Sequence, residues 1–508
     1  MQLICPYQSN ISFLSGSLCR IVFVRYISLH IFPDIKSRYQ TDKGETNKLD
    51  LVKVFIENIL YPVMEKKNGN RIRKYLTELT SSQQMTIQAL NELQTEKLKA
   101  LLLECIANVP AYRPYAYLKD EIETNPISAL KKIPILDKDR FRDTSENFIN
   151  DTVDKSSLIS NITGGSTGQP LNFYMDRRTV EHYEAARWRG LSWSGITPGS
   201  RSVMIWGNPI ELDSMKQKSY HLKERWLKNR IIIPAYSLKS DSIINYINRI
   251  ERFKPEYFYG YASALHAFAI LMLKEKARLS FVPKAVVSTA ETLHDFQREA
   301  IESAFGCRVV NEYGARDAGI LAFECEHGGM HITVENAVFE VVDPITSEDQ
   351  PIGENGALIV TDLNNFSMPR LRYKLGDSIA LSDKACTCGR GLPLMDNVVG
   401  REDDVFLTID GKLVHGHVFS HIARSHNPIS KFQIRQHSPQ SACLHIVLHS
   451  DSAVSEADAF IRNIKDVLPG TDISVSFVDE IPAGKSGKYR YAIREFDLEQ
   501  GLKEMHTV

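Results

Sequence analysis

The sequence predicts an α/β protein in which a large domain is followed by a small α+β domain, and three observations predict it. The chain has 508 residues, beyond the roughly 250–300 at which a single hydrophobic core stops growing. Through its middle, short β-branched runs alternate with helical stretches, the pattern of an α/β fold with largely parallel sheets. After Val405 the texture changes to two strand-like pieces, a helix and a further strand, the pattern of a small α+β unit.

Taken in order, residues 1–50 stand apart. The stretch from Ile11 to Pro33 is apolar but carries Arg20 and Arg25, each costing about 2.5 kcal/mol or more at the centre of a membrane helix, so no stable span is expected. Neither the charge placement nor a small-residue cleavage site fits a secretory signal. The segment is expected to be a poorly ordered extension, with residues 40–50 as a polar linker. From Ser81, the positions Ile87, Leu90, Leu93, Leu98, Leu101 and Leu102 recur near helical spacing, with Ser as cap and Pro110 as stop. SVMIW, RIIIP, KAVVST, RVVNEY and GALIVTDL then read as strands, with SDSIINYINRIERF and LHAFAILMLKEKAR as helices between them. In the tail, FQIRQHS, CLHIVLHS and ISVSFVDEI read as strands and SEADAFIRNIKDVL as a helix.

The 61 Lys and Arg nearly balance the 62 Asp and Glu. A neutral chain has no general electrostatic reason to bind nucleic acid or an anionic membrane. Eight cysteines are too sparse for a disulfide scaffold of this length. A cytoplasmic protein is expected.

The densest glycine signal is ISNITGGSTGQPLNFYM, which sets Thr163, Gly164, Gly165, Ser166, Thr167 and Gly168 between two strand-like segments. Glycines let several N–H groups converge on an anion, and hydroxyls add donors. The loop lacks the GK[ST] ending of a P-loop, and the GKS at Gly484 lacks the earlier glycine, so neither is a Walker A site. Alone, the loop is as well read as a tight hairpin. VSTAETL, NEYGARDAG, MPRLRYKLGD, VVGREDD and IPAGKSGKYR follow it downstream. In that order and spacing the six segments resemble the core motifs of the adenylate-forming superfamily, the family of acyl-CoA synthetases, peptide-synthetase adenylation domains and luciferases. The upstream segments ILYPVMEKKNGNRIRKYL, LLLECIANVPAYRPY and LKKIPILDKDRFRD resemble its phenylacetate–CoA ligase and CapK branch. The resemblance runs from about Leu51 to the end. It implies a large ATP- and acyl-binding domain at 51–402, with mixed and parallel sheets, and a small mobile lid at 403–508.

The chemistry implied is the joining of a carboxylate to the α-phosphate of ATP. That nucleophile is already ionised at pH 7, so the protein need only position the reactants and neutralise charge. By resemblance, Thr163 to Gly168 hold the β/γ phosphates. The Lys common in that loop is absent, since Gln169 follows. Glu291 lies near the nucleotide, and Tyr313 and Gly314 line the adenine and acyl sites. Asp317 stands where the superfamily usually has Glu and would ligate Mg²⁺. Asp377 would accept both ribose hydroxyls, Arg401 would contact ribose or phosphate, and Asp403 would be the hinge. Lys488 would bridge the carboxylate and the α-phosphate as charge develops, with Lys485 a nearby second lysine outside that role. Trp206, Tyr257, Tyr259 and Tyr261 would flank an acid, which they permit to be aromatic without requiring it.

The implied activity is an AMP-forming acid–thiol ligase using ATP, Mg²⁺ and coenzyme A. The alternatives are another acceptor, such as a deazaflavin's phenolic hydroxyl or a carrier protein, and a CapK-like protein of capsular polysaccharide biosynthesis. Finally, FECEHGGMHI and KACTCGRG offer Cys325, His327, His331, Cys386 and Cys388. Two thiolates one residue apart, with a Cys and a His from another segment, can make a tetrahedral zinc set, although reduced thiols beside turns fit the spacing too. Branch members with a similar Cys-x5-His and Cys-x-Cys imply Cys325, His331, Cys386 and Cys388 around a structural Zn²⁺, with His327 in reserve.

Overall fold

The computed structural model describes residues 50–496 except 163–170, 207–223, 226, 236, 237, 239, 397, 399, 402–404, 411, 412, 425–427, 450–453 and 483–489. The N-terminal extension, Thr163 to Gly168, Asp403 and Lys488 thus lie outside the described residues.

A nine-stranded sheet organises the large part of the chain. Its first strands are β3 (Ser202–Trp206), β4 (Arg230–Pro234), β5 (Tyr257–Tyr261), β6 (Ala285–Thr289) and β7 (Val309–Ala315), all parallel to one another. Beyond them β8 (Gly319–Glu324), β9 (Met330–Ile332), β14 (Leu394–Met395) and β13 (Leu381–Ser382) continue antiparallel, in the order 13-14-9-8-7-6-5-3-4. The reversal follows from connection length: three residues join β7 to β8, enough for a hairpin and far too few for a parallel crossover. A second sheet, β10 (Ala337–Val342), β11 (Gly356–Asp362), β12 (Tyr373–Ile379) and β15 (Gly400–Arg401), is wholly antiparallel. GALIVTDL is therefore a strand as expected, but outside any parallel sheet. All seven residues of β11 are buried, and burial on both faces erases the alternation that marks an antiparallel strand. The glycine-rich segment is flanked by the antiparallel pair β1 (Ile159–Ile162) and β2 (Asn172–Met175).

Helices cover both faces of the large sheet. Helices α1 (Ile72–Ser82), α2 (Ile87–Asn108) and α3 (Arg177–Ser192) contribute to one core with Val287, Val310 and Tyr313. On the other face, α4 (Ser240–Phe253), α5 (Ala262–Lys274) and α6 (Asp295–Phe305) enclose a core with Val203, Ile233, Phe258 and Val286. The expected helix from Ser81 is corrected at its start. Ser81 and Ser82 end α1, and α2 begins after Thr86, whose side chain accepts a hydrogen bond from the Ala89 N–H, so Thr86 supplies the cap. Leu90, Leu98, Leu101 and Leu102 are buried, while Ile87 in the first turn is exposed.

A buried ion pair ties these layers together. Arg189 on α3 reaches Glu335 at 2.6 Å, and both side chains are almost fully enclosed. Glu335 also accepts from the Ser82 hydroxyl on α1 at 2.6 Å, and Arg189 donates to Thr333 at 3.2 Å. Nearby, the His182 ring stacks on Tyr75 at 3.8 Å between centroids, and neither ring nitrogen has a hydrogen-bond partner among the described residues. Burial, reinforced by the cations Lys97 and Arg178, depresses the His182 imidazole to about 3. Its folded value thus lies below its unfolded one, so the stability it permits is full above about pH 6.5 and declines as pH falls toward 3. Wild type is expected to lose about 2 kcal/mol through this group by pH 5. His182→Phe keeps the stacking without the charge, and should show a shallower fall in melting temperature between pH 7 and 5. Parallel curves for the two proteins would contradict this.

After β15 the chain enters a different core. A short pair, β16 (Val405–Leu407) and β17 (Leu413–His415), precedes β18 (Ile429–Ser438), β19 (Ser441–Leu448), helix α7 (Asp458–Val467), β20 (Asp472–Phe477) and β21 (Ala492–Arg494). The sheet order is 20-19-18-21, antiparallel at its centre and parallel at both edges. Phe406, Phe419, Phe432, Ile434, Phe460 and Ile464 form its core, which shares no residue with the other two. Among the described residues no helix is long and apolar enough to cross a membrane.

Candidate active site and metal centre

β4 and β5 lie on opposite sides of β3, so strand order reverses there, and α/β folds bind ligands at the carboxyl ends of their parallel strands. Three of the expected site residues converge at the end of β7 and on β12. The Tyr313 hydroxyl donates to the Asp377 carboxylate at 2.8 Å, across 64 residues of sequence. Asp377 in turn pairs through its backbone with Arg401 on β15. Gly314 sits at an irregularity in the β7–β8 register, where a Cβ would lie 2.4 Å from the Gly319 carbonyl oxygen. Only glycine fits that approach.

Asp317, just past β7, is buried. Its carboxylate accepts from the Tyr373 hydroxyl at 2.9 Å, and its backbone carbonyl accepts from Arg370. One carboxylate oxygen is therefore committed to β12. Glu291 follows Ala290, a non-glycine residue in the left-handed region at φ 67°, a strained conformation of the kind found at ligand sites. Its carboxylate accepts from the Ser263 N–H at 2.8 Å, anchoring the loop to the start of α5.

Beneath these residues lies a polar network that sequence reasoning missed. The enclosed carboxylate of Glu312 accepts from the Tyr259 hydroxyl at 2.6 Å, the Thr289 hydroxyl at 2.9 Å and Arg187 Nε at 3.2 Å. Arg187 also reaches Glu184 at 2.7 Å. Burial works against the Arg187 charge, but Tyr259, Glu312 and Glu184 more than offset it and hold the guanidinium protonated. Glu312 stands inside NEYGARDAG, so its motif was visible while its partners were not. Of the expected aromatic residues, Trp206 and Tyr261 are buried against each other at 4.0 Å. Tyr257 is core as well, and Tyr259 is the less enclosed of the four.

The expected metal ligands also come together. One ligand atom from each of Cys325, His331, Cys386 and Cys388 lies within 4.8 Å of all the others. Cys325 and Cys386 Sγ are 3.5 Å apart, and His331 Nε2 is 3.2 Å from Cys388 Sγ. A tetrahedral zinc with bonds near 2.3 Å needs about 3.7 Å between sulfurs, so the set fits after small shifts. His331 Nδ1 lies 3.0 Å from the Leu392 carbonyl. That contact fixes the tautomer with Nε2 as the free ligand nitrogen, the usual support for a metal-binding His. His327 is exposed and bonds Thr387 at 2.9 Å, outside the set. Burial pushes the Cys325 thiol up to about 12, a cost that a bound dication would reverse by ligating the thiolate.

Residues 406–495 match the family model of the CapK C-terminal domain. The chain is similar to Protein CapK of Staphylococcus aureus, 28% identical over 374 residues that make up 72% of this chain and 80% of that one. It is also similar to a phenylacetate-coenzyme A ligase of Thermus thermophilus, 26% identical over 335 residues, 63% of this chain and 72% of the other. Among solved structures, 2-hydroxyisobutyryl-CoA ligase in its postadenylation state superposes with TM-score 0.64 at 18% identity, covering 84% of this chain and 94% of that one. The same ligase in its thioesterification state, over the same shares, gives 0.51.

Proposed function

We propose that this chain, which belongs to the adenylate-forming superfamily in the branch of CapK and the phenylacetate–CoA ligases, activates a carboxylic acid with ATP and transfers the acyl group to coenzyme A. The observation that carries the reading is the Tyr313–Asp377 hydrogen bond at the carboxyl end of the parallel strands, which unites two separated motifs where a nucleotide would lie. Asp377 would accept the ribose hydroxyls, oriented by Tyr313. Arg401, its backbone neighbour, would meet ribose or phosphate, and the loop Thr163 to Gly168 would receive the β/γ phosphates. Glu291 would steady the nucleotide loop. Asp317 is the residue that would hold Mg²⁺, which when bound would supply charge neutralisation on the phosphates. Lys488 would bring an ammonium to the carboxylate and α-phosphate, and rotation about Asp403 would then exchange it for the thiol.

Incubating the protein with ATP, Mg²⁺, coenzyme A and a panel of aromatic, fatty and hydroxy acids is expected to yield AMP and one or more acyl-CoA thioesters by mass spectrometry. A second reading keeps adenylation and changes the acceptor. It is favoured by the match of the small domain, the part that would meet the acceptor, to the CapK C-terminal domain. AMP and pyrophosphate release without any thioester would select it over coenzyme A.

The Cys₃His set is read as a structural zinc site, because its four protein ligands leave no position for water or substrate. Purified protein is expected to carry about one zinc per chain, and Cys388→Ser should lower both zinc content and melting temperature. Metal-free protein with an unchanged melt in chelator would contradict it.

A further inference from the structure

We propose that His294 and Tyr491 form an aromatic latch that holds the small domain in its adenylating position, making His294 a positioning residue for the first half-reaction; this rests on the function proposed above. The two rings come from opposite sides of the linker after Arg401. Tyr491 belongs to the small domain, where its ring packs on Phe432 at 5.5 Å and its carbonyl accepts from the Ile434 N–H at 2.8 Å. The preceding Arg490 carbonyl accepts from Gln433 at 2.7 Å. This stretch is thus fastened to β18. His294 belongs to the large domain, at the N-cap of α6, three residues after Glu291. Its ring stacks on Phe296 at 5.8 Å, and Phe296 meets His266 of α5 at 5.2 Å.

Across the gap, the His294 and Tyr491 rings meet edge to face, 5.3 Å between centroids and 69° between planes. A row of four rings therefore runs from α5 to the small domain and reaches it three residues after Lys488. Three residues span at most about 11 Å, so fixing Tyr491 confines where Lys488 can go. Rotation of the small domain about the linker after Arg401 must part the two rings. The better superposition on the postadenylation state of 2-hydroxyisobutyryl-CoA ligase, at TM-score 0.64 against 0.51 for its thioesterification state, agrees with a contact made in the first arrangement. One edge-to-face pair shifts an equilibrium by about three- to tenfold.

His294 also caps α6 in a reciprocal box with Gln297, so two substitutions separate latch from cap. His294→Asn keeps a capping oxygen and deletes the ring, and His294→Phe keeps the ring and loses the cap. With phenylacetate and 2-hydroxyisobutyrate as acid probes, His294→Asn should lower ATP–pyrophosphate exchange three- to tenfold. Transfer to coenzyme A from synthetic phenylacetyl adenylate should be unchanged or faster. His294→Phe should exchange like wild type but melt earlier. Exchange by His294→Asn equal to wild type, or an equal loss in both half-reactions, would overturn the latch. Wild type that exchanges with neither acid bears on the choice of acid and not on the latch, which is then decided without any acid. Fluorophores placed at the exposed Glu275 and Ser455 of the full chain should report a three- to tenfold population shift in His294→Asn, and an unchanged distance distribution would overturn it.

Discussion

Lys488→Ala is expected to slow ATP–pyrophosphate exchange by about 10²–10³-fold, the usual loss when a group aimed at transition-state charge is removed. ATP affinity should change far less. In the proposed mechanism the ammonium would meet the carboxylate and α-phosphate as charge shifts between them, so its interaction would strengthen in the transition state and its loss would fall on kcat more than on binding. The described residues of the proposed nucleotide site are fixed donors and acceptors, with Asp377 held by Tyr313 and Asp317 by Tyr373. None of them is a cation able to enter and leave. Lys488 lies outside the described residues, in PAGKSGKYR. Lys485→Ala is the control and should exchange like wild type. Equal exchange by wild type and Lys488→Ala would remove Lys488 from the mechanism.

Arg189→Ala is expected to destabilise the large domain by about 3–5 kcal/mol, because it strands the Glu335 carboxylate in a dry interior. The pair is enclosed at 1% and 3% exposure, and Arg189 Nε and Glu335 Oε2 already lack partners among the described residues. Of the carboxylate's hydrogen bonds described above, only the one from the neutral Ser82 hydroxyl would remain. Replacing both partners together, as Arg189→Leu with Glu335→Leu, should recover most of the loss, since well-packed apolar groups often match a buried ion pair. Thermal melting of the single and double variants checks this. A single variant within about 1 kcal/mol of wild type would mean that the interior is wetter than its burial indicates.

How much of this was legible in the sequence depends on the range of the interaction concerned. Strands such as SVMIW and RIIIP were readable because a strand buried on both faces needs a continuous β-branched run. The antiparallel turn of the sheet after β7 was not, because it hangs on the three-residue β7–β8 connection and not on strand composition. The start of α2 was misplaced by one helix: Ser81 has the chemistry of a cap, and only the chain path shows that Thr86 performs it. At the site, Tyr313, Asp377 and the Cys₃His set were expected because the short segments that hold them resemble family motifs, and the structure brings the residues of each group together. The Arg187–Glu312 pair spans 125 residues, and a lone Arg on a helix carries no sign of a carboxylate that distant. The latch was invisible for the same reason, since an isolated His and an isolated Tyr specify nothing until two domains bring them together.

The central claim is adenylation, and ATP–pyrophosphate exchange by the wild-type protein across aromatic, fatty and hydroxy acids tests it most directly. The account predicts Mg²⁺-dependent exchange with at least one acid and none without an acid. ATP binding with no exchange for any acid in the panel would contradict it, and would make the chain a nucleotide-binding relative without the chemistry.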